Sequence, residues 1–151
     1  TVATRIDHIV VAVDDLDAAV ASFTGTFGFH RTPLAGGEVT GITALVTGGV
    51  TVVLVGPDAS PSVAEYLHQH GGGIQHVAIE VLNAGYARAC LADTDASLLT
   101  NVVVDDAGHE QFFAARDAAT GLQLGFISRT GHRAGVAAAN VLALFDTLIA
   151  P

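Results

Sequence analysis

His70-Gly71-Gly72-Gly73-Ile74-Gln75-His76-Val77-Ala78-Ile79-Glu80-Val81 runs a glycine turn straight into a strand of alternating residues. Alternation at a period of two marks a β-strand with one covered face. The strand has a twin earlier in the chain. Shifted by 68 residues, His76-Val77-Ala78-Ile79-Glu80-Val81 falls on His8-Ile9-Val10-Val11-Ala12-Val13. Beyond the strand, Ala87 and Ala89 fall on Ala19 and Ala21, and Leu91 falls on Phe23. Leu82-Asn83 and Asp14-Asp15 occupy the same strand-to-helix junction. A match at fixed spacing is the mark of a tandem duplication, here of a unit of roughly 70 residues. Each copy opens its first strand with a histidine.

The elements follow from pattern and punctuation. In the first copy a strand over 6–13 leads into a helix capped by Asp14 or Asp15, with Leu16, Ala19, Val20 and Phe23 as its apolar stripe. Gly25 to Gly28 ends it. Strands at about 39–47 and 50–55 are joined by Gly48-Gly49, a two-residue hairpin signal, and Gly56-Pro57 closes the copy. Ser60 as cap and Pro61 at the first position start a helix reaching His70. The second copy repeats the plan, with a strand over 74–82, a helix at about 84–92 and strands near 98–104, 109–115 and 122–129. Gly131 to Gly135 breaks the pattern. Val141, Leu144, Phe145 and Leu148 then define a terminal amphipathic helix over 136–150 that docks on the sheet.

The fold class is therefore α+β: paired βαβββ modules form an open, curved, barrel-like sheet with outer helices and a C-terminal helix. The chain reads as a single domain over 1–151. Module one covers about 1–58, a linker helix 61–70, module two about 74–130 and the terminal helix 136–150. If Val77, Ile79 and Val81 pack on a helix, then His76, Ala78 and Glu80 point into the cavity. His8, Val10 and Ala12 do the same from the first copy.

Composition excludes several classes. A net charge of −9 with only six Lys and Arg lacks the basic patch that phosphate backbones require, so nucleic acid is not an expected partner. No apolar run approaches the ~20 residues of a membrane span, and no charged-then-apolar leader is visible. With one cysteine, Cys90, neither a disulfide framework nor a cysteine metal cluster is available, and a cytoplasmic location is the expectation. Half of the residues are hydrophobic, ample for a core at this length.

Two inward imidazoles on facing strands supply half of a metal site, because first-row metals take neutral histidine nitrogen and a facial triad adds one carboxylate. The other reading is a pair of hydrogen-bonded core histidines.

The stretch Ile6-Asp7-His8-Ile9-Val10-Val11-Ala12-Val13-Asp14-Asp15-Leu16, the strand from Gly71 to Val81 and the paired modules together resemble the vicinal oxygen chelate superfamily of glyoxalases, bleomycin-resistance proteins and extradiol dioxygenases. The segments Val53-Leu54-Val55-Gly56-Pro57 and Val63-Ala64-Glu65-Tyr66-Leu67-His68-Gln69-His70-Gly71 are similar to a single domain of the 4-hydroxyphenylpyruvate dioxygenase and 4-hydroxymandelate synthase branch. So are Ser128-Arg129-Thr130-Gly131 and Asn140-Val141-Leu142-Ala143-Leu144-Phe145.

The resemblance implies a metal held by a histidine on the first strand, a histidine on the fifth and a glutamate on the eighth. His8 and His76 match the two histidines. The glutamate position falls on Gly125, or on Phe126 under a shifted alignment, and the extra donor of related epimerases and glyoxalases falls on Val53. Gln123, Glu80 and Glu110 are the remaining candidates for a third donor.

With two ligand positions of the set filled, the expectation is a metal-independent protein with no cofactor. It sequesters an aromatic or polycyclic natural product, as antibiotic-binding resistance proteins do, in a cavity lined by His8, Val10, Val53, His76 and Ala78. Glu80, Glu110, Phe112, Gln123 and Gly125 complete that lining. Phe113, Phe126 and Tyr86 are further stacking candidates, and Gly71 to Gly73 a pliable cavity lip. The alternative is a dioxygenase-like or glyoxalase-like enzyme in which His8 and His76 hold Fe(II) or another divalent metal. A metal-free isomerase or cyclase would use Glu80, Glu110 or a histidine as acid or base. The expected partners are a small-molecule ligand and a second copy in a homodimer.

Overall fold

The computed structural model describes residues 3–104, 108–129 and 135–149. The first copy contributes β1 (Ala3–Ala12), α1 (Leu16–Ala21), β2 (His30–Thr32), β3 (Ile42–Thr47) and β4 (Val50–Val55). The linker is α2 (Pro61–His70). The second copy contributes β5 (Gly73–Val81), α3 (Ala84–Ala92), β6 (Val103–Val104), β7 (Glu110–Phe113) and β8 (Leu124–Ser128), and α4 (Ala138–Ile149) follows. Among the described residues the strands form one mixed eight-stranded sheet in the order β2-β3-β4-β1-β5-β8-β7-β6, curved and open rather than closed into a barrel. β1 runs parallel to β4, β5 runs parallel to β8, and the copies meet where β1 and β5 pair antiparallel.

The duplication is visible in local chemistry. Asp15 Oδ1 accepts the Ala18 N–H at 3.0 Å, and Asn83 Oδ1 accepts the Tyr86 N–H at 2.8 Å. Asp15 and Asn83 are the same position of the repeat, and each caps the helix that follows its copy's first strand. Between the copies, Ser60 Oγ accepts the Val63 N–H at 3.2 Å to start α2. Gly71, at φ +75°, ends it in a conformation that a side chain resists.

The two sheet faces are covered differently. On one face α1 and the helical turn after it lay Val20, Leu16 and Phe23 over Leu45, Val52 and Leu54. α3 lays Ala84 and Ala87 over Val81, Phe112 and Phe126 on that same side. On the opposite face, which carries the histidines, α2 and α4 pack Val63, Tyr66, Val141 and Phe145 onto Val10, Ala12, Val53 and Val55. The Tyr66 and Phe145 rings meet edge to face at 5.1 Å. Each fully buried side chain of this kind contributes roughly 2 kcal/mol, so α4 is held by its apolar stripe. The expected cavity over the first module is therefore filled: α1 and α3 are outer helices, and α2 and α4 occupy the inside.

Smaller departures have local causes. The strand expected over 98–104 is reduced to a Leu98–Ala114 bridge and the two residues of β6, because Thr100 Oγ1 takes the Phe113 N–H that a ladder would use. β2 is too short for periodicity to reveal. Residues 130–134, which carry most of the break expected before α4, lie outside the described residues.

Candidate functional site

The histidines sit at the seam between the copies. In the β1–β5 ladder His8 pairs with Ala78 and Val10 with His76, and the two imidazoles lie 5.9 Å apart, centroid to centroid, edge to face. The ladder slips three times, between Ala3 and Arg5, between Ile6 and His8 and between Val10 and Val11. At the last two the extra residues are Asp7 and Gln75, again one position of the repeat. A bulge sends two consecutive side chains to one side. Asp7 and His8 are both buried, as are Gln75 and His76.

Each bulge residue orients the histidine after it. Asp7 Oδ2 accepts from His8 Nδ1 at 2.7 Å, and Arg129 donates to both Asp7 oxygens at 2.6 Å from Nε and Nη2. Gln75 Oε1 accepts from His76 Nδ1, Gln75 Nε2 donates to Gln123 Oε1 at 3.3 Å, and Gln123 Nε2 donates to the Ala114 carbonyl at 3.1 Å. With the Nδ1 proton used in this way, Nε2 is the bare nitrogen of an imidazole that carries no second proton. His76 Nε2 is buried without a hydrogen-bond partner among the described residues, as are both amide atoms of Gln111.

Electrostatics shift two of these groups, Asp7 and His76. Burial alone would raise the Asp7 carboxyl, but the hydrogen bonds from Arg129 and His8 and their charges outweigh it and hold the group well below the ordinary carboxylate range. Burial, reinforced by the charge of His8, holds His76 well below the ordinary histidine value, so its imidazole is neutral.

The other sequence candidates are split between faces. Val10, Val53 and Ala78 are fully buried beside the histidines, and Gln123 and Gly125 lie on β8 and the turn before it, facing the same way. Glu80 is half-buried and bound to Arg5 at 2.6 Å. Phe112 is on the other side: it stacks on Phe126 at 4.8 Å under α3, and Glu110 shares its parity on β7. The ring that meets His76, at 5.4 Å, is Phe113. Tyr86 is exposed on α3 and lines none of this.

An open recess lies one step away. Its volume is about 570 Å³; Gly71, Gly72 and Gly73 form one wall, Tyr66 and His70 another, and Leu99, Arg116 and Gln123 the far side. The glycine run is thus the lip of a cavity, set at the end of α2 rather than over the imidazoles.

Residues 7–114 match the model of the Glyoxalase/Bleomycin resistance protein/Dioxygenase superfamily. The chain belongs to that superfamily. No curated protein sequence matches it. Among solved structures, a hypothetical protein from Bacillus halodurans C-125 is 20% identical, with a TM-score of 0.72 over 87% of this chain and 98% of its own. Methylmalonyl-CoA epimerase from Mycobacterium tuberculosis is 22% identical, with a TM-score of 0.71 over 86% of this chain and 91% of its own. A variant of the Streptomyces coelicolor epimerase, in complex with 2-nitronate-propionyl-CoA, is 22% identical, with a TM-score of 0.68 over 87% of this chain and 99% of its own. At such identities the likeness is one of fold.

The resemblance puts the metal-donor positions at His8, Val53, His76 and Gly125, the alternative Phe126 lying on the other face under α3. In this chain the sheet brings them together: Val53 pairs with Val10 beside His8, and Gly125 pairs with Ala78 beside His76. Two of the four carry no donor atom. A Cβ at Gly125 would stand 3.0 Å from the Phe113 ring and 3.4 Å from Gln111 Nε2, so the space for a longer side chain is taken. Among the described residues no three His, Cys, Asp or Glu side chains form a metal cage. The residues present do not fit a three- or four-donor centre.

Asp7, Gln75 and Arg129 are the site residues that parity reasoning missed. The available signal was the repeat itself, which places a hydrogen-bonding side chain directly before each histidine.

Proposed function

We propose that this protein binds a small organic molecule without a metal centre and sequesters it, in the manner expected of an antibiotic-binding or self-resistance protein. The observation that carries the reading is the donor set. Val53 and Gly125 stand where donors are needed, and Phe113 takes up the room at Gly125. The recess of about 570 Å³ under the glycine run is of the size that takes a drug-sized ligand. Protein purified without added metal, analysed for metal content and then titrated with Fe(II), Mn(II), Ni(II) and Zn(II), tests it. Substoichiometric metal and weak titration are expected, and stoichiometric tight metal would overturn it.

One observation favours the alternative, a metal-dependent enzyme of the dioxygenase or glyoxalase type. Ligand histidines usually donate their second ring N–H to an oxygen, as His8 and His76 do here, and His76 Nε2 has no partner among the described residues. The same titration decides between the two readings.

A homodimer remains part of the proposal. The terminal helix spends its apolar side on the sheet, and the exposed apolar side chains left for burial include Ile6 and Ile74, which are 50% and 55% exposed. These two are also one position of the repeat. Sedimentation at micromolar concentration checks it, a monomer being the adverse result.

A further inference from the structure

We propose that the recess beside Gly71–Gly73 is built for an anion, a molecule with an apolar body and one carboxylate, whose acid group is held by Arg116 and the Gln123 amide. The inference rests on the reading of the protein as a small-molecule binder and goes beyond it by naming the ligand's charge.

The case begins with charge distribution. The chain carries 15 Asp and Glu against six Lys and Arg, so a cavity wall taken at random is expected to hold acids. This wall holds none: its ionisable side chains are Tyr66, His70 and Arg116. Arg116 has no carboxylate partner among the described residues. Its guanidinium donates to two carbonyls, Gly121 at 2.5 Å and Gln75 at 3.4 Å, which fix its position and which, being neutral, leave its charge to be met by a ligand. Arg5 and Arg129, by contrast, are spent on Glu80 and Asp7. Arg116 also lines a neighbouring recess that carries Asp95 and Asp117, neither of which is ion-paired with it. The C-terminus of α2 brings a partial negative charge to the rim, about half of one elementary charge at most, which the full charge of Arg116 exceeds.

Gln123 adds orientation. Its Oε1 is engaged by Gln75 and one Nε2–H by the Ala114 carbonyl, so the side chain is held rigidly, with its second N–H available to an acceptor. A guanidinium with a fixed amide donor beside it matches a carboxylate better than a neutral carbonyl, because charge-assisted hydrogen bonds are about twice as strong. The remainder of the wall, including Ile74, Leu99 and Leu148, is apolar and suits a hydrocarbon body.

The test compares naphthalene-2-acetate with naphthalene-2-acetamide, which share a body and differ in charge, by calorimetric titration of the whole chain. The acid should bind about tenfold more tightly than the amide, and its advantage should shrink as salt rises, since Arg116 is exposed. Arg116→Gln should abolish the difference by weakening the acid alone, and Arg116→Lys should restore part of it, which separates lost charge from lost fold. Equal affinity for the two probes, no effect of Arg116→Gln, or no binding of either at millimolar concentration overturns the proposal. None of these results bears on metal content, which is the separate test of the sequestration reading.

Discussion

Ile9 faces Val77 across the β1–β5 ladder, and the two are the same position of the repeat. Their pairing marks the pseudo-twofold axis of the chain. On either side of it His8 pairs with Ala78 and Val10 with His76, so each histidine lies opposite the residue two places after its twin. The axis also exchanges the bulges at Asp7 and Gln75. The repeat therefore sets two histidine-orienting units face to face, one with a carboxylate as its orienting group and the other with an amide.

Replacing that carboxylate is expected to be costly. Asp7 is 4% exposed and answers both Arg129 and His8, and removing one member of a buried ion pair costs about 3 kcal/mol or more. Asp7→Asn should lower stability by that order in urea unfolding, whereas Glu80→Gln, which breaks the exposed pair with Arg5, should cost under about 1 kcal/mol. Equal effects would show that the buried network is not what holds the seam. Asp7 also predicts a pH dependence. Because its folded-state value is depressed, the stability it supplies is complete above about pH 4 and drains as pH falls through the lower folded value. Asp7→Asn should flatten the unfolding curve in that acid window.

His76 predicts a second, separate window. Its folded-state value is also depressed, so the unfolded chain takes up a proton that the folded chain refuses. Stability should be full above about pH 6.5 and fall steadily below it. His76→Gln, which cannot titrate, should remove that slope when denaturation midpoints at pH 7.5 and 5.5 are compared. An unchanged slope would assign the loss to other groups.

The fold was legible because the repeat, the caps and the alternation at His8 and His76 all describe one module. Strand parity correctly set Val10, Ala78 and both histidines on one face. It failed at Asp7 and Gln75, since a bulge cancels the period of two and nothing local in the sequence announces one. It failed at Phe112 for a related reason: β7 is four residues long, and whether Phe112 or Phe113 points inward depends on its register with β8. That α2 and α4 fill the inner face was hidden because an amphipathic stripe shows that a helix docks without showing on which side of a sheet.

The duplicated caps offer a test of independence. Asp15→Ala and Asn83→Ala each remove one side-chain acceptor from a helix N-terminus, at about 1 kcal/mol apiece. The helices share no partner, α1 packing on β3 and β4 and α3 on β7 and β8, so the double variant should lose the sum, about 2 kcal/mol. Thermal unfolding showing much less than additivity would indicate that one module melts before the other.

The last prediction concerns the small residue at 125. Gly125→Glu puts a carboxylate at the position where the superfamily resemblance places one, beside His8 and His76, which by donor type alone should create a two-histidine, one-carboxylate metal site. The structure adds an obstacle. The Phe113 ring lies 3.0 Å from where a Cβ at 125 would be, and Phe113 is held in turn by His76 at 5.4 Å. Even Gly125→Ala should therefore cost about 1–3 kcal/mol through overpacking. Gly125→Glu alone should gain little affinity for Fe(II) in an anaerobic titration, because the new side chain is turned away from the imidazoles. Gly125→Glu combined with Phe113→Ala should bind Fe(II) at least tenfold more tightly than the unmodified chain, provided circular dichroism shows it folded. If the single variant binds as well as the double, Phe113 is not what closes the site; if neither gains affinity, the two imidazoles are not placed to share an ion.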